Sequence, residues 1–249
     1  METIDRTASA EATSAHESSL VTDRVTEGIR ALILAGELPP GSRIGQEELA
    51  ARFSVSRIPV RVALGRLESD GLVVLKPSSG AWVARVDLAE CLEIYMIRER
   101  LEPLALAQSI PNMTDERIDL LERLADDMAA STDTETFLKL DRMFHLASYA
   151  DAGMKQLLAM IERFWNTTQH YRRAFTSLLG HERNWIIHAE HRLIVDAIRR
   201  RDTEGAAHLL TEHIRRTRCE LAQYADLFPN PGSPRKNRKG GLSDSSNAR

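Results

Sequence analysis

Cysteine is nearly absent from this sequence. Cys91 and Cys219 stand far apart among 249 residues and form no Cys-x-x-Cys pair, so neither a disulfide framework nor a zinc finger is indicated and a reduced, cytoplasmic setting fits. No apolar run reaches the length of a membrane span, and the first residues carry Glu and Asp without a hydrophobic signal core, which argues against secretion and membrane insertion. The His-Glu-x-x-His pattern of zinc hydrolases does not occur, and neither does the Glu-x-x-His motif of di-iron bundles. Strong charge of one sign is missing too, with a formal net charge of -3. Residues 22–85, with nine Lys/Arg against seven Asp/Glu, are slightly basic in an otherwise acidic chain. That is a weak pointer to nucleic acid, since a small reader concentrates its charge on one face.

What the sequence does have is helical periodicity and firm punctuation. Residues 1–19 are rich in Ser, Thr, Ala and Glu, too poor in large apolar side chains to offset the entropy of ordering, and read as a disordered arm. A helix follows from about Thr22, with Val25, Ile29, Leu32 and Ile33 on one face, and stops at the Gly/Pro cluster from Gly36 to Gly41. Gln46 to Phe53 reads as a short helix, Ser54-Val55-Ser56 as a tight turn, and Arg57 to Leu67 as a third helix whose Val60, Ala63, Leu64 and Leu67 form a core face. Two β-rich runs, Leu72 to Leu75 and Ala81 to Arg85, flank the turn Lys76-Pro77-Ser78-Ser79-Gly80 and form a hairpin, with no further strand pattern downstream. Residues 20–86 are therefore a winged helix-turn-helix. Residues 87–228 are helical throughout, six helices at about 88–108, 114–130, 134–149, 154–179, 182–199 and 203–224, an antiparallel bundle. Residues 229–249, with Arg235, Lys236, Arg238 and Lys239, read as a disordered basic tail. The fold class is mainly α.

Two sets of side chains carry chemistry. On the third helix Ser56 can cap, Pro59 sits harmlessly in the first turn, and Arg57 and Arg61 lie one turn apart, with Gly65 one turn further, on the face opposite the core. A guanidinium fork bonds bidentately to guanine or phosphate, and a small residue lets a helix approach closely in a major groove; the alternative for this stretch alone is a solvated surface. In the bundle, Asp141 and His145 stack one turn apart, His191 is in register with Ile187, Ile194 and Val195, and His213 with Ala206, Leu209 and Leu210. Three imidazoles and one carboxylate suit a divalent cation such as Zn, Ni, Mn or Fe. Each taken alone is more often a hydrogen-bonded core residue than a ligand, and His170, His181, His188 and His208 stand at other phases.

The layout resembles the GntR family of bacterial transcription factors, the FadR-like subfamily with an all-helical FCD effector domain. The residues that carry the resemblance are Pro40-Gly41, Ile44, Glu48-Leu49-Ala50, Val55-Ser56-Arg57, Pro59-Val60-Arg61, Ala63-Leu64, Arg66-Leu67-Glu68 and Gly71-Leu72-Val73. It implies DNA contacts from Gln46, Ser56, Arg57, Ile58, Arg61, Val62 and Gly80, and a metal set of Asp141, His145, His191 and His213. Arg98, in Arg98-x-x-Leu101-Glu102, is similar to an arginine facing the family's ligand cavity, which suits a small carboxylate effector; its alternative is a salt bridge to Glu102. A homodimer on a pseudo-palindromic operator, acting as a ligand-responsive repressor, is implied as well. Ile58 and Val62 replace a usual Thr and Glu, Gln46 a common acidic residue, and Ser79 a frequent arginine before the wing glycine. Fewer polar wing contacts follow, with an apolar recognition face fitted to a thymine methyl. The rivals are a helical metal-dependent enzyme with a DNA-binding appendage, lacking a base beside the metal because Glu190 and Glu212 adjoin ligands and point elsewhere, and a DNA-binding protein whose bundle only dimerises.

Overall fold

The structure is a computed structural model that describes the backbone of residues 3–179 and 184–228 and the side chains of 19–178 and 185–228. The first helix, α1, spans Thr3–Leu34. It is longer than the expected helix from Thr22, and its first half replaces the disordered arm expected over 1–19. Ala and Glu are good helix formers, so a helix anchored by Val25, Ile29, Leu32 and Ile33 can be extended backwards through them. The expected basic tail, 229–249, and the breaker Gly180 lie outside the described residues.

Strand β1 (Arg43–Ile44), helix α2 (Gln46–Phe53) and helix α3 (Arg57–Ser69) follow, then β2 (Val73–Lys76) and β3 (Gly80–Val83). The turn between α2 and α3 is tight because Ser54 takes a left-handed conformation with φ 55°. The sheet has three strands in the order β1-β3-β2, all antiparallel, with Arg43 opposite Trp82, Ile44 opposite Ala81 and Lys76 opposite Gly80. The hairpin of β2 and β3 is the expected wing. Strand β1 was invisible in the sequence because two residues cannot show a period. Val60, Ala63, Leu64 and Leu67 of α3 pack with α1, Leu49 of α2, and Leu72, Ala81 and Val83 into one apolar core.

A second core belongs to α4 (Leu88–Ser109), α5 (Asp115–Ala130), α6 (Thr134–Tyr149), α7 (Lys155–Leu179), α8 (Asn184–Arg199) and α9 (Thr203–Leu221). Helix α4 begins with a capping box, in which Asp87 accepts from the Glu90 backbone while Glu90 accepts from that of Asp87. Short 3₁₀ turns at Ile110–Asn112, Ala150–Ala152 and Ala225–Leu227 tighten the connections. Among the described residues no helix is long and apolar enough to cross a membrane.

The two cores meet along α7. Asn166 donates to the Asp70 carbonyl at 2.9 Å, Thr167 to the Gly71 carbonyl at 3.4 Å, and Arg173 to the Leu34 carbonyl at 2.6 Å. Gly71 has φ +76°, and a Cβ there would lie 2.8 Å from Arg163 Cγ and 2.9 Å from Thr167 Oγ1, so glycine is what lets α7 approach the end of α3.

Candidate DNA-reading face and candidate metal centre

On α3 the core face leaves residues 57, 58, 61, 62 and 65 outward. Arg57 and Arg61 are exposed, Ile58 is 72% and Val62 46% exposed, and an added Cβ at Gly65 would meet nothing within 4 Å. The two arginines differ. Arg57 Nη1 donates to Glu47 Oε1 of α2 at 3.0 Å, whereas Arg61 forms no ion pair among the described residues. Gln46, Ile58, Arg61, Val62, Leu64 and Leu75 line one groove between helix and wing. Ser56 occupies the N-cap position of α3, but its hydroxyl makes no capping bond, so the expected cap is a backbone arrangement and the exposed side chain is left over. Gly80 sits at the wing's turn with φ +92°.

In the bundle, Asp141 and His145 of α6, His191 of α8 and His213 of α9 converge, all four buried, with one ligand atom from each lying within 4.8 Å of all the others. His145 Nε2 and His191 Nε2 are 3.3 Å apart, and each lies 3.8 and 3.6 Å, respectively, from Asp141 Oδ1. Bonds of about 2.0–2.1 Å to one ion place neighbouring ligand atoms about 3.0–3.4 Å apart, so the two imidazoles are already at that spacing and the rest of the set is wider, at up to 4.8 Å. Asp141 Oδ1 is buried with no hydrogen-bond partner, a lone-pair site facing the centre. The other expectation for these residues, separately satisfied core histidines, does not account for that orphan. His170, His188 and His208 are not part of the cluster.

Hydrogen bonds behind the ring fix the tautomers of His145 and His213, whereas His191 Nδ1 is buried without a partner. Tyr149 donates its only proton to Glu102 Oε2 at 2.6 Å, so at 3.0 Å its oxygen accepts from His145 Nδ1, and His145 Nε2 keeps a lone pair for the centre. His213 Nδ1 donates to Glu190 Oε2 at 2.6 Å, which leaves its Nε2 free in the same way. Glu190, expected to point elsewhere, therefore reaches back to orient a neighbour of the centre, and Arg216 holds its carboxylate at 2.6 Å. Burial lowers both His145, well below the ordinary value, and His191, to about 3, with nearby positive groups adding to it, so both rings are neutral ligands. For Asp141 burial pushes upward, but the Arg172 guanidinium at 2.5 Å outweighs it and holds the carboxyl below its usual value.

Arg98 makes the ion pair with Glu102. Its Nε donates to Glu102 Oε1 at 2.5 Å, and it also lines a small pocket of about 10 Å³ beside the cluster, with Tyr95, His145, Trp165, Arg172, His213 and Thr217. Four buried donor atoms of that lining lack any partner: Tyr95 Oη, Arg98 Nη1, Trp165 Nε1 and Arg172 Nη1. Arg172, Trp165, Tyr149, Glu102 and Glu190 were not singled out in the sequence. A signal for Arg172 was present, a charge on the apolar stripe Ile161, Trp165, Thr168, Arg172, Phe175 of α7.

The cluster also touches the contact between the cores. Arg142, next to Asp141, donates to Asn166 Oδ1 at 2.7 Å, and the same Asn166 holds the Asp70 carbonyl at the end of α3.

Comparison with known proteins places these two halves. Residues 21–83 match the model "Bacterial regulatory proteins, gntR family", and residues 93–216 match the FCD domain. The chain is 30% identical over 198 residues to the HTH-type transcriptional regulator McbR of Escherichia coli, covering 77% of this chain and 88% of that protein. It is 26% identical to the HTH-type transcriptional repressor GlaR of the same organism, over 73% of this chain and 87% of that one. A solved structure of E. coli McbR/YncC superposes with a TM-score of 0.73 at 27% identity, covering 82% of this chain and 97% of that one.

Proposed function

The chain belongs to the gntR family of bacterial regulatory proteins and carries the FCD domain as its helical half, and from that premise we propose that it is a homodimeric repressor released or engaged by a small carboxylate. That it is a transcriptional regulator of this type, and not an enzyme, follows from the family. The dimer is what the family implies, and a specificity argument supports it: the 13 residues of α3 read few base pairs, and two copies on a pseudo-palindromic operator reach useful specificity. The repressor reading is supported by the name of GlaR. DNA contacts are assigned to Gln46, Ser56, Arg57, Ile58, Arg61, Val62 and Gly80, with Arg61 as the free guanidinium and Ile58 and Val62 turned to thymine methyls.

The observation that supports the effector reading is the set of four orphaned donors around the pocket beside the histidines. Buried donors without partners are costly, and an anion's oxygens would satisfy them. Asp141, His145, His191 and His213 would hold a divalent ion such as Zn, Ni, Mn or Fe, which supplies a Lewis-acidic anchor for that anion. Arg98 and Arg172 would orient the carboxylate with their free guanidinium nitrogens. Through Arg142 and Asn166 the occupied site would favour one placement of α3 over another, an effect limited to the ligand's differential affinity for the two.

Protein purified without chelators is expected to carry about one divalent ion per chain by elemental analysis. His191→Ala and His213→Ala should abolish that content while leaving operator binding measurable. Wild-type protein with no metal content, and with a thermal midpoint unmoved by added Zn, Ni or Mn, would overturn the site.

A further inference from the structure

Strand β1 has only two residues, yet the alternation of a strand gives them opposite roles. Ile44 is buried in the core of the winged helix, so Arg43 faces solvent, opposite Trp82 of β3. Its guanidinium runs along the sheet to the wing's turn: both Nε and Nη2 lie 3.8 Å from the position a Cβ would take on Gly80. The guanidinium therefore reaches the tip of the wing. Arg30, Arg52, Arg57 and Arg66 are each held by a carboxylate, but Arg43 forms no ion pair or side-chain hydrogen bond among the described residues. Lys76, opposite Gly80 in the hairpin, places its ammonium 5.9 Å from the Trp82 ring, and residues 72–86 contain no Asp or Glu at all. The tip is thus a pair of cations contributed by two strands that lie on either side of β3, with one carboxylate from outside the hairpin, Glu68 of α3, accepting from the Leu75 backbone N–H at 2.9 Å.

We propose that Arg43 contacts the phosphodiester backbone of duplex DNA from the wing, supplying from β1 the cation that the hairpin's own turn, Pro77-Ser78-Ser79-Gly80, does not contain. The inference rests on the reading of the chain as a DNA-binding regulator. A phosphate contact positions the protein without reading sequence, so it contributes equally on operator and non-operator duplexes and responds strongly to salt. A base contact would do neither.

The test compares full-length wild type, Arg43→Ala and Arg43→Lys by fluorescence anisotropy on the selected operator and on a scrambled duplex, across a salt series. If each chain of a dimer makes one such contact, Arg43→Ala flattens the slope of log K against log salt by about two; between about 50 and 200 mM salt the wild type then loses about tenfold more affinity than the variant. The loss should be the same factor on both duplexes, and Arg43→Lys should restore the slope, because a point charge serves a phosphate. An unchanged slope in Arg43→Ala overturns the proposal, as does a loss confined to the operator. Failure of the wild type to bind any duplex would instead overturn the underlying reading. An unchanged thermal midpoint, expected for a residue at the surface, separates lost contact from lost fold.

Discussion

Arg61 is free where Arg57 is already engaged, and the two should not contribute equally. Arg61→Ala is expected to weaken operator binding by about 1–3 kcal/mol and to relax specificity at one base pair. Arg57→Ala should weaken it less, because Arg57 must first give up Glu47 at 3.0 Å. Gel-shift affinities in the reverse order would contradict this. Beside them, Ile58 and Val62 expose β-branched side chains on the outward face of α3, where they are placed to meet thymine methyls. Replacing operator thymines by deoxyuridine removes the methyl and nothing else. Affinity should drop by about 0.8 kcal/mol per methyl read, a drop that disappears in the Ile58→Ser, Val62→Thr double variant; equal affinities for the two operators would remove the methyl contact. At this scale the sequence was informative where spacing along one helix decides who shares a face, as for Arg57 and Arg61. It was silent on Arg43, whose importance comes from a strand pairing.

Helix α7 is the element on which both halves bear. Trp165 and Arg172 face the pocket, while Asn166, Thr167 and Arg173 hold the carbonyl ends of α3 and α1. Asn166→Ala is therefore expected to keep metal content and the fold, yet to reduce the change in operator affinity on metal addition, since it breaks the path from Arg142 to Asp70. A full metal response in that variant would exclude the path. The apolar stripes and breakers marked all six bundle helices within a few residues, because long amphipathic runs report their own period. Neither the role of Asn166 nor that of Gly71 was visible, since both are defined by contacts across some 96 residues of sequence.

For the whole molecule, the buried histidines tie stability to pH. His191 has its folded-state value lowered to about 3 and His145 is well below ordinary, so the unfolded chain binds protons that the native state refuses. Stability in the metal-free protein should rise with pH from about 3 to about 6.5 and level off above it. Glu190, down at about 2 because hydrogen bonds from Arg216 and His213 outweigh burial, adds a loss in the same direction, as acid falls through the carboxylate range. Chemical denaturation midpoints across that window check the sign; a flat profile would show that the imidazoles are not buried neutral. The convergence itself was only half legible. Periodicity showed that Asp141, His145, His191 and His213 lie on inward faces, but the rotation of three helices about their axes, which brings one atom of each within 4.8 Å of the others, is set by packing and is not written along any single helix.

Trp165 is fully buried, with the Arg98 and Arg172 guanidinium carbons each 4.4 Å from its ring and the His145 ring centroid at 5.1 Å. Trp185 is exposed and Trp82 lies on the wing. The indole therefore sits against two cations, on which an arriving anion would also draw. The molecule carries its own optical gauge of site occupancy, with the other two tryptophans as an internal reference.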